Sequence, residues 1–207
     1  MMATYPVVFN VIRPASFGRR RLAIRLLLVS LVWLLVTTPL VILAHVAFPL
    51  LAANLIAGKD GRRFIEEDAA RFTAAIRWYL ALLSYSALLL DRLPTDDLQG
   101  SLVYRVMPTG EPTILSALLR IILSIPSAVV LAFLGIAGAV VWVIAAMSVI
   151  TSGNYAVSLY DFQVGVMRWH ARLLAYHSSL VDEYPPFAFA AGPETITAER
   201  PSAAPDG

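Results

Sequence analysis

RWYLALLSYSALLLDRLP, Arg77 to Pro94, recurs as RWHARLLAYHSSLVDEYP, Arg168 to Pro185. Eight of the eighteen positions are identical without a gap: Arg77/Arg168, Trp78/Trp169, Leu82/Leu173, Leu83/Leu174, Tyr85/Tyr176, Leu89/Leu180, Asp91/Asp182 and Pro94/Pro185, each pair 91 residues apart. Toward the N-terminus the offset becomes 95, as for Gly58/Gly153, Arg25/Arg120, Val11/Val106 and Phe9/Tyr104. The first copy is thus four residues longer in its polar connection, KDGRRFIEEDAARFTAAI against NYAVSLYDFQVGVM. Insertions are tolerated in such a place. The register predicts a tandem duplication, with units at 5–94 and 100–186 and a Pro/Ala-rich tail, 187–207, expected to be disordered.

Each unit has three parts. The first is an extended arm, YPVVFNVIRP or GSLVYRVMP, dense in β-branched and aromatic residues and closed by proline, which predicts a short strand. Val7 to Ile12 and Leu102 to Met107 are expected to pair antiparallel, since an unpaired edge is a liability. The second is an apolar stretch, Leu22 to Ala57 or Ile114 to Ile150, longer than the ~20 residues one membrane helix needs. Breakers interrupt both stretches, Thr37-Thr38-Pro39 in one and Gly135 to Gly138 in the other, and allow a helical hairpin or a single tilted helix, for which Ser127 to Ile150 alone would suffice; the hairpin is the preferred reading. Arg19 to Arg21 precede the first stretch and Arg25 stands at its start, and Lys59, Arg62 and Arg63 follow it, so both of its ends are expected on the cytoplasmic side. The third part is the Arg-Trp helix. Phe162, Val166, Trp169, Leu173, Tyr176 and Leu180 follow steps of 4 and 3, with Asp161, Arg168, Arg172 and His177 off that stripe, as in an amphipathic helix lying in the membrane interface.

Composition points the same way. Of 207 residues 58% are hydrophobic and 14% charged, far from the balance of a soluble domain. The small net charge of +2 is carried by clusters beside apolar segments, which suits topology signals and anionic headgroups and not nucleic acid. The chain has no cysteine, which excludes disulfides and thiol chemistry. The fold class expected is an all-α integral membrane protein with short β arms, two tandem units each made of a β arm, an apolar helical hairpin and an amphipathic interfacial helix.

The candidate structural or interaction residues are Arg77, Trp78, Tyr85 and Asp91 in the first copy and Arg168, Trp169, Tyr176 and Asp182 in the second. Two-fold related in-plane helices are antiparallel, which predicts cross-unit pairs of Arg77 with Asp182 and Arg168 with Asp91. His45 lies in an apolar stretch, where an ionisable group is a functional candidate. Its counterpart is Val140, no acidic residue is near it in sequence, and it is expected to be a neutral packing residue. His170 and His177 correspond to Tyr79 and Ser86, so no metal-ligand spacing recurs. No phosphate loop, nucleophile elbow, H-E-x-x-H or dinucleotide motif occurs. The expectation is a non-enzyme with no catalytic residues, cofactor or metal.

The second copy, from GIAGAVVWVIAAMSVITSGNYAVSLYDFQVGVMRWHARLLAY to LVDEYPPF, resembles the bacterial membrane family known as domain of unknown function 4389, DUF4389. The resemblance rests on an apolar stretch ending near T-G (Thr151 and Gly153, with Ser152 between), an F-x-x-G-x-x-R-W helix (Phe162, Gly165, Arg168, Trp169) and a D-x-Y-P-P-F end (Asp182, Tyr184 to Phe187). The first copy matches more loosely, with Arg71 and Ala74 in place of Phe162 and Gly165. The resemblance implies a membrane protein and no activity. The role expected is an accessory or scaffolding component of the bacterial cytoplasmic membrane, multi-pass with both termini cytoplasmic, touching lipid and a protein partner. A membrane-shaping protein and a small-solute transporter are the alternatives; the transporter is disfavoured because, beyond Arg25 and Arg120 near their starts, the apolar stretches hold no ionisable residue besides His45.

Overall fold

A computed structural model of the chain describes residues 5–14, 17–18, 38–92 and 101–189. The expectations for Arg19 to Arg21, Arg25, the first part of the first apolar stretch and the tail beyond 189 lie outside the described residues. Val7–Val11 (β1) and Leu102–Val106 (β2) form an antiparallel ribbon, Val7 opposite Val106, Phe9 opposite Tyr104 and Val11 opposite Leu102. This is the predicted pairing. Ile12 N–H to Ser101 O (3.0 Å) and Met107 N–H to Pro6 O (2.9 Å) lengthen it at both ends. Alternation sets its two faces: Val7, Phe9, Val11, Leu102 and Tyr104 are buried, while Arg105 is exposed and Asn10 half-buried on the other side.

Five helices follow the described segments: α1 (Thr38–Lys59), α2 (Gly61–Ser86), α3 (Ile114–Leu123), α4 (Ile125–Ser152) and α5 (Val157–His177). Asp60 turns the chain between α1 and α2 at φ 80°, its carboxylate accepting from Arg63 N–H. On α2, Phe64, Asp68, Phe72, Ile76, Leu80 and Leu83 are buried at steps of 4 and 3, and Arg62, Arg63, Glu66, Glu67, Arg71 and Trp78 are exposed opposite them. The acidic run Glu66 to Asp68 reads in sequence as a solvated helix start, but Asp68 is buried and binds Lys59 Nζ at 2.8 Å.

The hairpin reading of the second apolar stretch is overturned. The helix runs unbroken through Gly135 to Gly138, and the interruption lies at Ser124, where α3 ends and Pro126 occupies the first turn of α4. Proline lacks the N–H that a helix interior needs, whereas glycine keeps every helical hydrogen bond and costs only about 1 kcal/mol. Gly138 also serves packing: Gln163 Nε2 donates to its carbonyl at 2.8 Å, and a Cβ there would stand 3.2 Å from Gln163 Oε1.

α5 is not an interfacial amphipathic helix. From Gln163 to Val181 every residue except the half-buried His170 is buried. Its polar side chains face neighbouring carbonyls rather than headgroups, so hydropathy alone misread its environment. β1 packs on α5 and β2 on α2, while α1, α3 and α4 also pack on α5. Gln163 meets Gly138 and His177 meets Ser124, so α4 and α5 run antiparallel.

α4 buries one stripe, Ser127, Leu131, Gly138, Ala145 and Val149, with Leu134 and Trp142 half-buried along it. The rest of its surface is exposed and apolar, including Val129, Phe133, Ile136, Val140, Val143, Met147 and Ile150. α1 over Val41–Lys59 and the 28-residue α4 are long and apolar enough to cross a membrane.

Candidate functional site

Three histidines from distant parts of the chain meet beside the α3–α4 break. His45 Nδ1 lies 3.1 Å from His177 Nδ1, His45 Nε2 lies 3.3 Å from His170 Nδ1, and His177 Nε2 lies 2.5 Å from Ser124 Oγ. They are all the histidines of the sequence. Partner chemistry assigns the tautomers. The hydroxyl of Ser124 donates to the carbonyls of Arg120 (2.7 Å) and Ile121 (3.0 Å), so it accepts from His177 Nε2–H. His177 Nδ1 then accepts from His45 Nδ1–H, and His45 Nε2 accepts from His170 Nδ1–H. Three neutral rings thus form one directional chain tying α1 to α5 and to the α3–α4 junction.

Burial pushes both His170 and His177 down to about 4, and the charge of Arg120 adds to the effect on His177. Each nitrogen of His45 faces a different ring, so the three rings do not turn toward one point. Among the described residues no group of three or more such side chains is arranged to hold a metal ion. His170 and His177 are seven residues apart, two turns on one helix face, and that spacing was the only sequence signal of the cluster.

The Arg-Trp motif and the Y-P-P-F end form a single packing unit. Arg168 Nε donates to Phe9 O at 3.0 Å and Nη1 donates to Phe189 O, while Arg172 Nη1 donates to Ala188 O at 2.7 Å. Trp169 meets Phe187 edge-on at 5.1 Å between centroids. Gly165 makes room for this strap, since a Cβ there would fall 2.9 Å from Phe189 Cβ. Phe187 to Phe189, assigned to the disordered tail by composition, are therefore held on α5.

Neither predicted cross-unit ion pair forms. Asp182 binds Arg120 Nη2 at 2.5 Å instead of Arg77, and Arg168 takes backbone carbonyls and Asn10 instead of Asp91. The pairs fail because α5 is enclosed rather than lying beside its counterpart in the interface. Asp91 accepts from Gly18 N–H at 3.1 Å, and Nε of Arg77 is buried without a hydrogen-bond partner. Trp78 is 54% exposed on the outer face of α2, and Tyr85 is half-buried against the core. Tyr176 is buried, with the Arg120 guanidinium 4.8 Å from its ring centre.

Residues 115–188, from α3 through the strap, match the family described as Domain of unknown function (DUF4389). The match is confined to these residues, about a third of the chain, and does not extend into residues 5–94. No curated protein and no solved structure matched the chain.

Proposed function

We propose that this chain is a non-catalytic accessory or scaffolding protein of the bacterial cytoplasmic membrane, a tandem duplication with both termini on the cytoplasmic side. The carrying observation is the distribution of polarity: the exposed surface of α1, α3 and α4 is apolar, while the buried cations of α5 are committed to carbonyls inside the chain. An exposed apolar surface of this extent marks contact with lipid or a partner. Duplication is supported by the ribbon, whose register centres on Phe9 and Tyr104, the pair made equivalent by the 95-residue offset. Each arm packs on the Arg-Trp helix of the other unit, β1 on α5 and β2 on α2. Anionic headgroups would meet the exposed cations outside α5, among them Arg62 and Arg63 on α2.

The test is membrane fractionation of the full chain followed by a carbonate wash and a mild-detergent pull-down. Retention after carbonate together with one stoichiometric protein partner is expected. Release into the aqueous wash would end the membrane reading. Membrane shaping is the second reading, favoured by the gathering of exposed apolar side chains on α1, α3 and α4 away from the ribbon; tubulation of vesicles by the purified chain would support it over scaffolding.

A further inference from the structure

How deep the chain sits in lipid follows from what lies beside α4, given the membrane reading above. The 28 residues of α4 extend about 42 Å, against a hydrocarbon core of about 30 Å, so an upright α4 would overshoot the core unless strongly tilted. α5 runs antiparallel along it, Gln163 at Gly138 and His177 at Ser124. β1 runs lengthwise along α5 in turn. Arg13 donates to Tyr155 O, Arg168 donates to Phe9 O, and the Arg172 guanidinium stands 5.8 Å from the Tyr5 ring centre. The ribbon therefore flanks the middle of α4 and not one of its ends.

An upright α4 would carry that ribbon to mid-bilayer. A two-stranded ribbon has two open edges whose N–H and C=O groups find no partner in hydrocarbon, and its outer face carries the exposed Arg105. Laid flat, the same layers fall in order of polarity. The ribbon is outermost in water, α5 and α2 lie beneath it, and α1, α3 and α4 lie in lipid. The charged face of α2, with Arg62, Arg63 and Glu66, then sits near the headgroups.

We infer that the described part of the chain sits in one leaflet of the membrane: α1, α3 and α4 lie in the plane of the bilayer among the acyl chains of a single leaflet, and neither α1 nor α4 crosses it. The occupant of the apolar face is phospholipid acyl chain, and the site of contact is the exposed row Val129, Ile136, Val143 and Ile150 on α4, continued by Leu115 and Ile122 on α3. Both ends of the α3–α4 segment emerge on the side they entered, without the mid-helix hairpin that the glycines suggested.

The cysteine-free chain allows a direct test. Single cysteines at Val129, Ile136, Val143 and Ile150 are spin-labelled in the full chain, reconstituted into vesicles of phosphatidylethanolamine and phosphatidylglycerol. Depth is read from collision with oxygen against a water-soluble nickel chelate. All four labels are expected at one depth within one leaflet, although they span about 31 Å of helix. A profile that deepens to a maximum and returns, with Val129 and Ile150 near opposite surfaces, overturns the inference and leaves the membrane reading intact. In parallel, cysteines at Glu111 and Asn154, outside the lipid face, are modified with a membrane-impermeant reagent. Modification from one side is expected, and modification from opposite sides overturns the inference. A chain that does not float with the vesicles sinks both readings.

Discussion

Arg120 joins Asp182 at 2.5 Å across 62 residues of sequence, and the same guanidinium caps the end of α5 by donating to Tyr176 O at 3.0 Å and to Val181 O. The carbonyl end of a helix favours a cation, and here the cation is buried while its carboxylate partner is half exposed. The two halves of the interaction therefore differ in worth. Arg120→Met leaves carbonyls unsatisfied in the interior and should cost about 2–4 kcal/mol, whereas Asp182→Asn should cost less than about 1 kcal/mol. Thermal unfolding in detergent, followed by circular dichroism, gives the ranking; equal losses would show that the ion pair and not the helix cap matters.

The strap makes a second prediction. Gly165→Leu places a side chain where Phe189 now lies and should release residues 184–189 from α5 while leaving the helices folded. Trp169, packed on Phe187 and Phe189, reports the change. Its fluorescence should shift to the red, and proteolysis should trim the chain back toward Asp182. Unchanged emission together with an unchanged proteolytic pattern would contradict this account of the F-x-x-G-x-x-R-W motif.

The ribbon centre is the next. Phe9 is 1% exposed and its carbonyl accepts from Arg168, so Phe9→Ala should cost about 3–5 kcal/mol through the cavity alone. Tyr104→Phe should be neutral or slightly stabilising, because the Tyr104 hydroxyl is buried without a hydrogen-bond partner. Melting temperatures of the two variants, measured side by side, check both signs.

Acid should loosen the histidine chain. His170 and His177 titrate near 4 in the folded chain, against about 6.5 when unfolded. The folded state binds protons less readily, so stability is complete above about pH 6.5 and is lost as pH falls toward about 4, by on the order of 3 kcal/mol for each ring. His177→Gln retains a donor for Ser124 and an acceptor for His45 but does not titrate. Its melting temperature should fall less than that of the unaltered chain between about pH 7 and about pH 5. Parallel slopes for the two proteins would rule out His177 as a source of the acid sensitivity.

Local chemistry made the ribbon and the helical segments legible. β-Branched arms closed by proline specify strands whatever surrounds them, and the arms pair antiparallel as expected, with the register that sets Phe9 opposite Tyr104 fixed only by the fold. Proline at 126 and glycine at 153, the latter at φ 74°, mark the ends of α4. The same reading placed the break of the second apolar stretch at Gly135 to Gly138, because a glycine that breaks a helix and one that admits Gln163 look alike in sequence.

The candidate site belongs to the tertiary structure. Hydrophobic periodicity identified α5 as a helix with polar side chains off its stripe, but periodicity reports which face differs and not whether the polar face meets water, lipid or protein. Enclosure by β1, α4 and the strap turned Arg168 and Arg172 into donors for carbonyls of Phe9, Ala188 and Phe189. His45 lies 125 residues from His170 and 132 from His177, and only the packing of α1 on α5 brings the rings within hydrogen-bonding distance. The sequence by itself determined the strands, the helix-forming segments and the apolar character of α1 and α4, because these depend on near neighbours along the chain. Which charged groups face one another, where the Y-P-P-F end docks and that the three histidines meet depend on distances through space, which only the packed fold decides.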